Sequence, residues 1–478
     1  MFDKKFLKNV SLVVLSNGVK LLASLLNIFI LPLIFDFEGY GFYKLFILYV
    51  SYIGLFHFGF IDGIYLKFGG VSYESLDKKK FKSYTRFLLY LQFLVTLIIF
   101  LYGLLFESGT RQTIILLVSL NLVAVNMTSH YQFISQITGR FKEFANRNII
   151  FTILSVILIG AFYILKINDL IMFLILTVGI NYLLVLWYMY TYRNITFGNS
   201  EKYKDVKSDL FLFFKLGIPL LISNLVVTFS TNLPKQFVEI MYPIETYPEV
   251  FSTFSFAFSL LGFAGVFLTA VGLVIYPTLK QANFETLKSN YHKLNTVLLA
   301  VLYLAFVCYY PAAFVVNRFI PKYVDSLKLF FILVPTIALT SSITIIKQNY
   351  YKSLNKNIRF FVLGVIAILL MLFLILGFFF LVEKNVIMVA SGYEVGVLLW
   401  FMILELDLRK ILGIKLSKSS LYLVLASTIF YSTHFIDRLW LAFLIYGFVI
   451  VAFTGIFFLK EIKEAITHFK NKRTKEVA

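Results

Sequence analysis

Long apolar runs alternate with short polar segments along the whole chain. Fourteen runs are long enough to cross a bilayer as helices, which takes roughly 17–25 residues. The predicted spans are 10–34, 43–61, 87–106, 113–135, 149–165, 170–190, 212–233, 249–276, 296–317, 327–346, 360–381, 386–404, 420–436 and 439–459. Because the runs are unbroken rather than short alternating stretches, they predict helices and not a β-barrel.

The composition agrees with a membrane location. Of 478 residues, 60% are hydrophobic and 14% are charged, and the mean hydropathy is +0.85. Soluble domains are about 45–50% apolar and about 25% charged. The sequence therefore predicts an all-α polytopic membrane protein, with its first apolar run retained as a span rather than cleaved as a signal peptide.

The net charge of +19 is concentrated in short loops between the spans. Alternate loops, taken together with both terminal segments, carry 34 of the lysines and arginines, whereas the opposite loops carry 9. Cytoplasmic loops are enriched in such residues. Both termini are predicted to be cytoplasmic, and the charge is attributed to topology rather than to a nucleic-acid partner.

A short internal repeat suggests two related halves. Leu15–Val19 (LSNGV) matches Ile222–Val226 (ISNLV), which places the first span over the seventh. We expect two pseudo-symmetric six-helix lobes related by an axis along the membrane normal. The predicted divisions are an N-lobe at 1–195, a cytoplasmic linker at 196–211, a C-lobe at 212–405, and two further spans with a basic tail at 406–478.

Catalytic and metal chemistry finds little support. The outer loops are too short to fold as a catalytic domain, Cys308 is the single cysteine, and the five histidines are scattered. We therefore predict no enzymatic activity, no cofactor and no metal site.

The first span carries a polar face that needs an explanation. Asn17, Lys20, Ser24 and Asn27 are spaced three or four residues apart, so they share one side of a helix. A lysine near the middle of a membrane costs about 2.5–3.5 kcal/mol on insertion scales. This face is predicted to line a hydrated cationic cavity; the alternative is that Lys20 extends to the cytoplasmic surface.

The seventh span repeats this pattern with Asn224, Thr228, Thr231, Lys235 and Glu239. Lys235 and Glu239 are spaced to pair with each other, or both lie at the outer interface. A central cavity between the two halves accommodates both polar faces.

Four residues are candidates for binding a coupling ion. Glu394 is a carboxyl within an apolar run, which suits a proton or sodium site. Asp62 and Glu239 are further acidic candidates, and His57 is either a proton carrier or a packed structural residue. Lys67, near Asp62, is either an interfacial anchor or a substrate contact.

Three stretches resemble one transporter family. Residues 31–70, with a proline near the end of the first span, the turn EGYGFY and the exit DGIYLKFGG, resemble Wzx-type polysaccharide flippases of the multidrug/oligosaccharidyl-lipid/polysaccharide exporter superfamily. GRFKEFANRN after the fourth span and FFKLGIPLLISN at the seventh are similar to segments of the same family. Lys235 departs from the pattern, since many relatives have an acidic residue near that position.

The resemblance implies a function. A flippase of this family moves undecaprenyl-diphosphate-linked oligosaccharide across the bacterial cytoplasmic (inner) membrane by alternating access, for cell-surface polysaccharides such as O-antigen. Its implied partners are the lipid-linked substrate, membrane lipids, H⁺ or Na⁺ as coupling ion, and polysaccharide polymerase and chain-length proteins. The candidate substrate-binding residues are Asn17, Lys20, Asn27, Lys67, Arg140, Asn224 and Lys235. The alternatives are a multidrug or small-cation antiporter of the same architecture and, with least support, a membrane-bound polymerase or acyltransferase.

Overall fold

The computed structural model describes residues 4–262, 279, 282–415 and 418–459. Throughout this part of the chain the regular structure is helical, which confirms the all-α prediction. The main helices are α1 (Lys4–Ile34), α2 (Phe37–Val50), α3 (Phe60–Phe68), α4 (Lys78–Phe106), α5 (Gly109–Ile137), α6 (Phe141–Ile164), α7 (Leu170–Thr191), α8 (Tyr203–Met241), α9 (248–262), α10 (Phe284–Ala305), α11 (Tyr309–Phe319), α12 (Ser326–Ser341), α13 (Gln348–Ser353), α14 (Asn357–Gly377), α15 (Val386–Leu412), α16 (Lys418–Ser432) and α17 (Leu439–Phe457).

Eleven helices in the described ranges are long and apolar enough to cross a membrane. Every predicted span overlaps a described helix, although the span predicted at 249–276 continues beyond the described residues. α16 is only 15 residues long. The count of fourteen and the cytoplasmic location of both termini stay predictions.

The α-helix is interrupted within several predicted spans, among them the second and the tenth. The second span leaves α2, passes through a 3₁₀ turn at Ile53–His57, and adopts a left-handed backbone conformation at Phe58 and Gly59, whose φ angles are 52° and 79°, before α3 begins. The tenth passes from α12 through a π-helical segment, Ser342–Lys347, into α13. Such irregular backbone within a membrane region is tolerated where it is buried in protein or lines a cavity.

The helices pack in two groups that meet along α8. In the first half, α1 packs on α6, and α5 packs on α4 and α7. In the second half, α15 packs on α12 and α14, while α16 and α17 pack on α10. α8 contacts α3 with its first part and α14 further along. The lobe boundaries at 1–195, 196–211 and 212–405 stay a prediction.

The contact of α2 and α3 with α8, called here the seam, runs antiparallel along most of α8. At its inner end the backbones touch: a Cβ added to Gly217 would lie 1.8 Å from the carbonyl oxygen of Gly59, and one added to Gly63 would lie 2.0 Å from that of Phe213. In the middle, the Asn232 amide donates to the Ser51 hydroxyl at 2.8 Å. The seam is therefore tightest at the end predicted to be cytoplasmic.

Candidate functional site

Two lysines, one from each half of the chain, lie in the outer part of the seam. Lys44 on α2 lies over the rings of Tyr40 and Tyr43, at 4.9 and 5.1 Å from their centroids. Lys235 on α8 lies 5.6 Å from the ring centroid of Phe258 on α9. The two side chains interact electrostatically, and both lysines are half-buried. Within the described ranges, neither forms an ion pair.

The chemistry of this lysine pair favours an anion. The aromatic faces stabilise the ammonium groups partly, by about 0.5–2 kcal/mol each. They do not remove the repulsion between two like charges held away from bulk water. A negatively charged group placed between Lys44 and Lys235 would remove it.

Glu239 is engaged elsewhere. Its carboxylate accepts a hydrogen bond from the guanidinium of Arg111, which also contacts Glu245 at 3.1 Å. Partial burial works against ionisation of Glu245, but the hydrogen bond and charge of Arg111 outweigh it and hold the pKa of Glu245 below its usual range. The predicted pairing of Lys235 with Glu239 is thus replaced by a link between α5 and α8.

Lys20 lies on the side of α1 opposite its exposed leucines. At 100° per residue, Ser24 and Asn27 fall within about 40° of Lys20, whereas Leu22, Leu26 and Leu33 fall about 120–160° away. Those three leucines are exposed, and Lys20, Ser24 and Asn27 are half-buried. The Asn27 amide donates only to the Ala23 carbonyl of its own helix, at 3.1 Å.

Of the two remaining polar candidates, one in the first span and one in the seventh, the structure describes the side chain of the second. The side chain of Asn17 lies outside the described part of the structure. Asn224 is exposed, and its Oδ1 accepts from the Gln348 amide at 3.2 Å.

Lys67 has a partner at the inner end of the seam. Its Nζ donates to Asp209 Oδ1 at 2.8 Å, while the Lys80 Nζ lies 3.5 Å from Asp209 Oδ2. The Tyr84 hydroxyl donates to the same carboxylate at 2.6 Å. The Asp209 carboxylate of α8 therefore balances part of the charge of the lysines on α3 and α4.

His57 and Asp62 lie together at the break in the second span. The Nδ1 of His57 accepts from the backbone N–H of Gly59 at 3.1 Å, so in the neutral ring the proton is on Nε2. That nitrogen lies 3.9 Å from Asp62 Oδ2. Asp62 is buried and also interacts electrostatically with Lys352.

Arg140 lies in the turn before α6 and is held by its neighbours. Its guanidinium lies 4.2 Å from the ring centroid of Tyr73 and 5.6 Å from that of Tyr192, and Nη1 lies 3.4 Å from Glu143. None of these contacts involves Lys44 or Lys235 of the outer seam.

Glu394 on α15 contacts the Tyr431 hydroxyl of α16. The same hydroxyl lies 2.8 Å from the carbonyl oxygen of Ile332 on α12. A tyrosine hydroxyl has one proton to donate. If the Glu394 carboxyl is protonated, its O–H donates a hydrogen bond to the Tyr431 oxygen, and the Tyr431 O–H donates to the Ile332 carbonyl. Both hydrogen bonds are then formed, which suits proton binding at Glu394.

A buried charge cluster was missed in the sequence. Lys347, which is fully buried in the π-helical segment, lies 3.0 Å from Glu405, and Arg409 Nε donates to the same carboxylate at 2.9 Å. The Tyr291 hydroxyl donates to it at 2.6 Å. The spacing of Glu405 and Arg409, one helical turn apart, was an available signal for part of this cluster. Lys44 was also missed, although Tyr40, Tyr43 and Lys44 are spaced to meet on one helical face.

Two cavities stand out in the described part. One of about 520 Å³ lies among α11, α12, α16 and α17, and the other, of about 260 Å³, lies at the inner end of α3, α4 and α8. The first is lined by Tyr309, Tyr310, Leu327, Lys328, Phe331, Ile332, Ile387, Tyr431, Thr433, His434, Ile436, Leu439 and Ala442. Of the predicted substrate-binding residues, Lys67 lines the second.

The fold is shared with known transporters. The sequence matches no family model and no curated protein. The structure is similar to the lipid II flippase MurJ in an inward closed conformation, with a TM-score of 0.60 and 14% identity over 95% of this chain and 100% of that one. It is also similar to an inward-facing multidrug resistance MATE family transporter of the MOP superfamily, with a TM-score of 0.62 and 14% identity over 84% and 94% of the two chains. A MATE structure in the straight conformation gives a TM-score of 0.56 at 14% identity, over 85% and 96%. The chain has the fold of MOP-superfamily transporters.

Proposed function

We propose that this protein is a flippase that moves an anionic lipid-linked oligosaccharide, of the undecaprenyl-diphosphate type, across the bacterial cytoplasmic membrane. The observation that carries the proposal is the Lys44–Lys235 pair, because two half-buried ammonium groups without a described carboxylate partner form a site for an anion. A diphosphate crossing a low-dielectric region gains most from fixed positive charge. The fold similarity to a lipid II flippase supports the same substrate class.

In this mechanism the diphosphate passes between the halves while the polyisoprenoid tail stays in lipid. Lys20 and Lys235 bind the anion together with Lys44, and the amides of Asn17, Asn27 and Asn224 contact sugar hydroxyls. Lys67 and Arg140 lie towards the inner mouth. The halves 1–195 and 212–405 rock about the seam to expose the path to each side in turn.

Ion coupling is part of the same proposal. Glu394 is the strongest proton candidate, because the hydrogen bonds that join the Tyr431 hydroxyl to Glu394 and to the Ile332 carbonyl are both complete when Glu394 is protonated. Asp62 with His57 is the second, and Glu239 is the weakest, since Arg111 neutralises it. Polysaccharide polymerase and chain-length proteins remain proposed partners for the exported product.

A second candidate is a multidrug or small-cation antiporter. The TM-score of 0.62 with an inward-facing MATE transporter favours it, as does the Glu394 carboxyl, which has a hydroxyl partner and forms no ion pair within the described ranges. The lysine pair disfavours it, since a cation at that position would be repelled.

The test is translocation of a labelled undecaprenyl-diphosphate-linked oligosaccharide by purified protein in proteoliposomes. We expect Lys44→Gln with Lys235→Gln to lower the initial rate at least about tenfold, equivalent to about 1.4 kcal/mol. Lys44→Arg with Lys235→Arg should retain most of the rate, because the charge is kept.

Lys142→Gln is the matched control, since Lys142 is exposed on α6 and away from the seam. Unchanged lipid translocation in the double glutamine variant would contradict the flippase assignment. Efflux of an organic cation that survives or rises in that variant would favour the antiporter.

A further inference from the structure

The 260 Å³ cavity at the inner end is lined by cationic and hydroxyl groups around one shared carboxylate. Lys67, Lys80, Ser75 and Tyr84 lie on its wall together with Asp209. Three of them, Lys67, Lys80 and Tyr84, contact the Asp209 carboxylate at 2.8, 3.5 and 2.6 Å. Asp209 occupies the place that a phosphate oxygen would take among the same donors.

The second acidic residue on the wall is already engaged. The Asp77 carboxylate accepts hydrogen bonds from the backbone N–H groups of Lys79 and Lys80, at 3.0 and 3.1 Å. Asp77 therefore caps α4 and does not pair with the cavity lysines. Asp209 is the carboxylate that an incoming anion would have to displace.

The charges around the cavity favour an anion over the carboxylate. Lys78, Lys79, Lys80 and Lys82 follow one another at the start of α4. On the cavity wall itself the charges of Lys67 and Lys80 are matched by those of Asp209 and Asp77, so the positive excess comes from the neighbouring lysines of α4. A diphosphate, which has more negative charge and more acceptor oxygens than a carboxylate, pairs with both lysines at once.

The Asp209 contacts also connect the two halves of the chain. Asp209 is on α8, whereas Lys67 is on α3, and Lys80 and Tyr84 are on α4. Next to them α3 and α8 touch through Gly63 and Phe213, and through Gly59 and Gly217. Asp209 is therefore an electrostatic latch on the inner end of the seam.

We infer that this cavity is an entry site for a phosphate-bearing headgroup, which replaces Asp209 as the counter-ion of Lys67 and Lys80 and so unlatches α8 from α3 and α4. The inference rests on the proposed function for its biological role, since the headgroup of a lipid-linked glycan is a diphosphate. It adds that the substrate itself opens the inner end. The cargo is required for opening, so the empty protein stays closed on that side.

The experiment measures the distance across the latch in the full-length protein. Cys308, the single native cysteine, is replaced by serine, and spin labels are attached at Glu74→Cys and Lys204→Cys, both of which are exposed. The protein is placed in phosphatidylcholine vesicles, and inorganic pyrophosphate is added, with sodium chloride of equal ionic strength as the comparison. We expect pyrophosphate, but not chloride, to shift the distance distribution to longer values.

The variants separate a specific site from a general salt effect. Lys67→Gln with Lys80→Gln should weaken the pyrophosphate response at least about tenfold. Lys293→Gln, which changes an exposed lysine of α10 outside the cavity wall, should respond as the parent does. Asp209→Asn should show the long distance before any addition. Asp209→Glu, which keeps the charge, should show the short one.

Either of two results overturns the inference: no shift in the parent protein, or an undiminished shift in the double glutamine variant. Phosphatidylglycerol vesicles without pyrophosphate identify the source of the phosphate. A long distance there assigns the site to membrane lipid headgroups in general, and a short one assigns it to the diphosphate. Because the measurement needs no glycan, its failure leaves the lysine pair and the translocation test untouched.

Discussion

The inner and outer ends of the seam are built from the same kind of residue in different ways. At the inner end Lys67 and Lys80 share the Asp209 carboxylate, and α3 meets α8 through glycine backbone. At the outer end Lys44 and Lys235 have aromatic faces and no described carboxylate partner. The difference separates two uses of lysine: at the inner end the lysines join α3 and α4 to α8 through Asp209, whereas at the outer end the proposed function has a ligand supply the negative charge that no described residue provides.

The largest effect is expected where a buried carboxylate pairs with two cations, and the prediction tests whether this pairing stabilises the fold. Glu405→Gln leaves Lys347 and Arg409 buried without a counter-ion, which costs about 3–5 kcal/mol in comparable buried pairs. We expect a strong fall in the thermal midpoint of the purified protein. Glu383→Gln, at an exposed position, is the control and should leave the midpoint unchanged. Equal thermal midpoints for the two variants would show that the cluster does not stabilise the fold.

The second prediction concerns the glycine contact of the inner end. Gly217→Ala places a methyl group 1.8 Å from the Gly59 carbonyl oxygen, so α3 and α8 must separate. Overpacking of this kind costs about 1–3 kcal/mol. The thermal midpoint should fall, and the inner distance between labels should lengthen.

Gly160→Ala is the matched control for that substitution. Gly160 is also helical, but a Cβ there would meet nothing within 4 Å. Its midpoint should stay level or rise slightly, since alanine favours the helix. If both alanine variants behave alike, backbone contact does not hold the inner end.

Most of the contacts at the two ends of the seam could not be predicted from the sequence. The long apolar runs predicted spans that each overlap a described helix, because membrane insertion requires a minimum run length in each segment separately. The helical face of Lys20 was also predicted, since it depends on local spacing. Contacts between distant segments carry no such local pattern.

The long-range pairs show where sequence reasoning stopped. The spacing allowed Glu239 to pair with Lys235 one turn away or to lie with it at the outer interface, and its partner in the structure is Arg111, 128 residues distant. Lys44 was counted with the outer loops because nothing in its neighbourhood indicates the approach of Lys235. The contact of Gly59 with Gly217 likewise depends on two helices that meet only in the folded protein.

The third prediction replaces a lysine by methionine at each end of the seam and expects opposite changes in the free energy of unfolding. Lys235→Met removes a half-buried charge that has no carboxylate partner among the described residues, so the free energy of unfolding should rise by about 0.5–2 kcal/mol while translocation falls. Lys67→Met removes a partner of Asp209 and should lower the free energy of unfolding by at most about 1 kcal/mol, since that pair is partly exposed. Chemical denaturation of both variants in the same detergent measures the signs. A loss of stability at Lys235 equal to that at Lys67 would mean that the outer lysine has a partner of its own.

The smallest effect uses pH at the outer edge of the seam. Glu245, which lies outside the spans, pairs with Arg111 and has a pKa below its ordinary value of 4.5 despite the opposing effect of partial burial. Because the folded state holds the carboxylate ionised, its contribution to stability is complete above the ordinary pKa and is lost as the pH falls through the lower folded value. The side chain is 47% exposed, so the contribution is below about 1 kcal/mol. The thermal midpoint of Glu245→Gln should therefore lie slightly below that of the parent at neutral pH and converge with it in acid. If the difference in thermal midpoint between the variant and the parent stays constant or widens on acidification, the Arg111–Glu245 salt bridge does not stabilise the outer end of the protein.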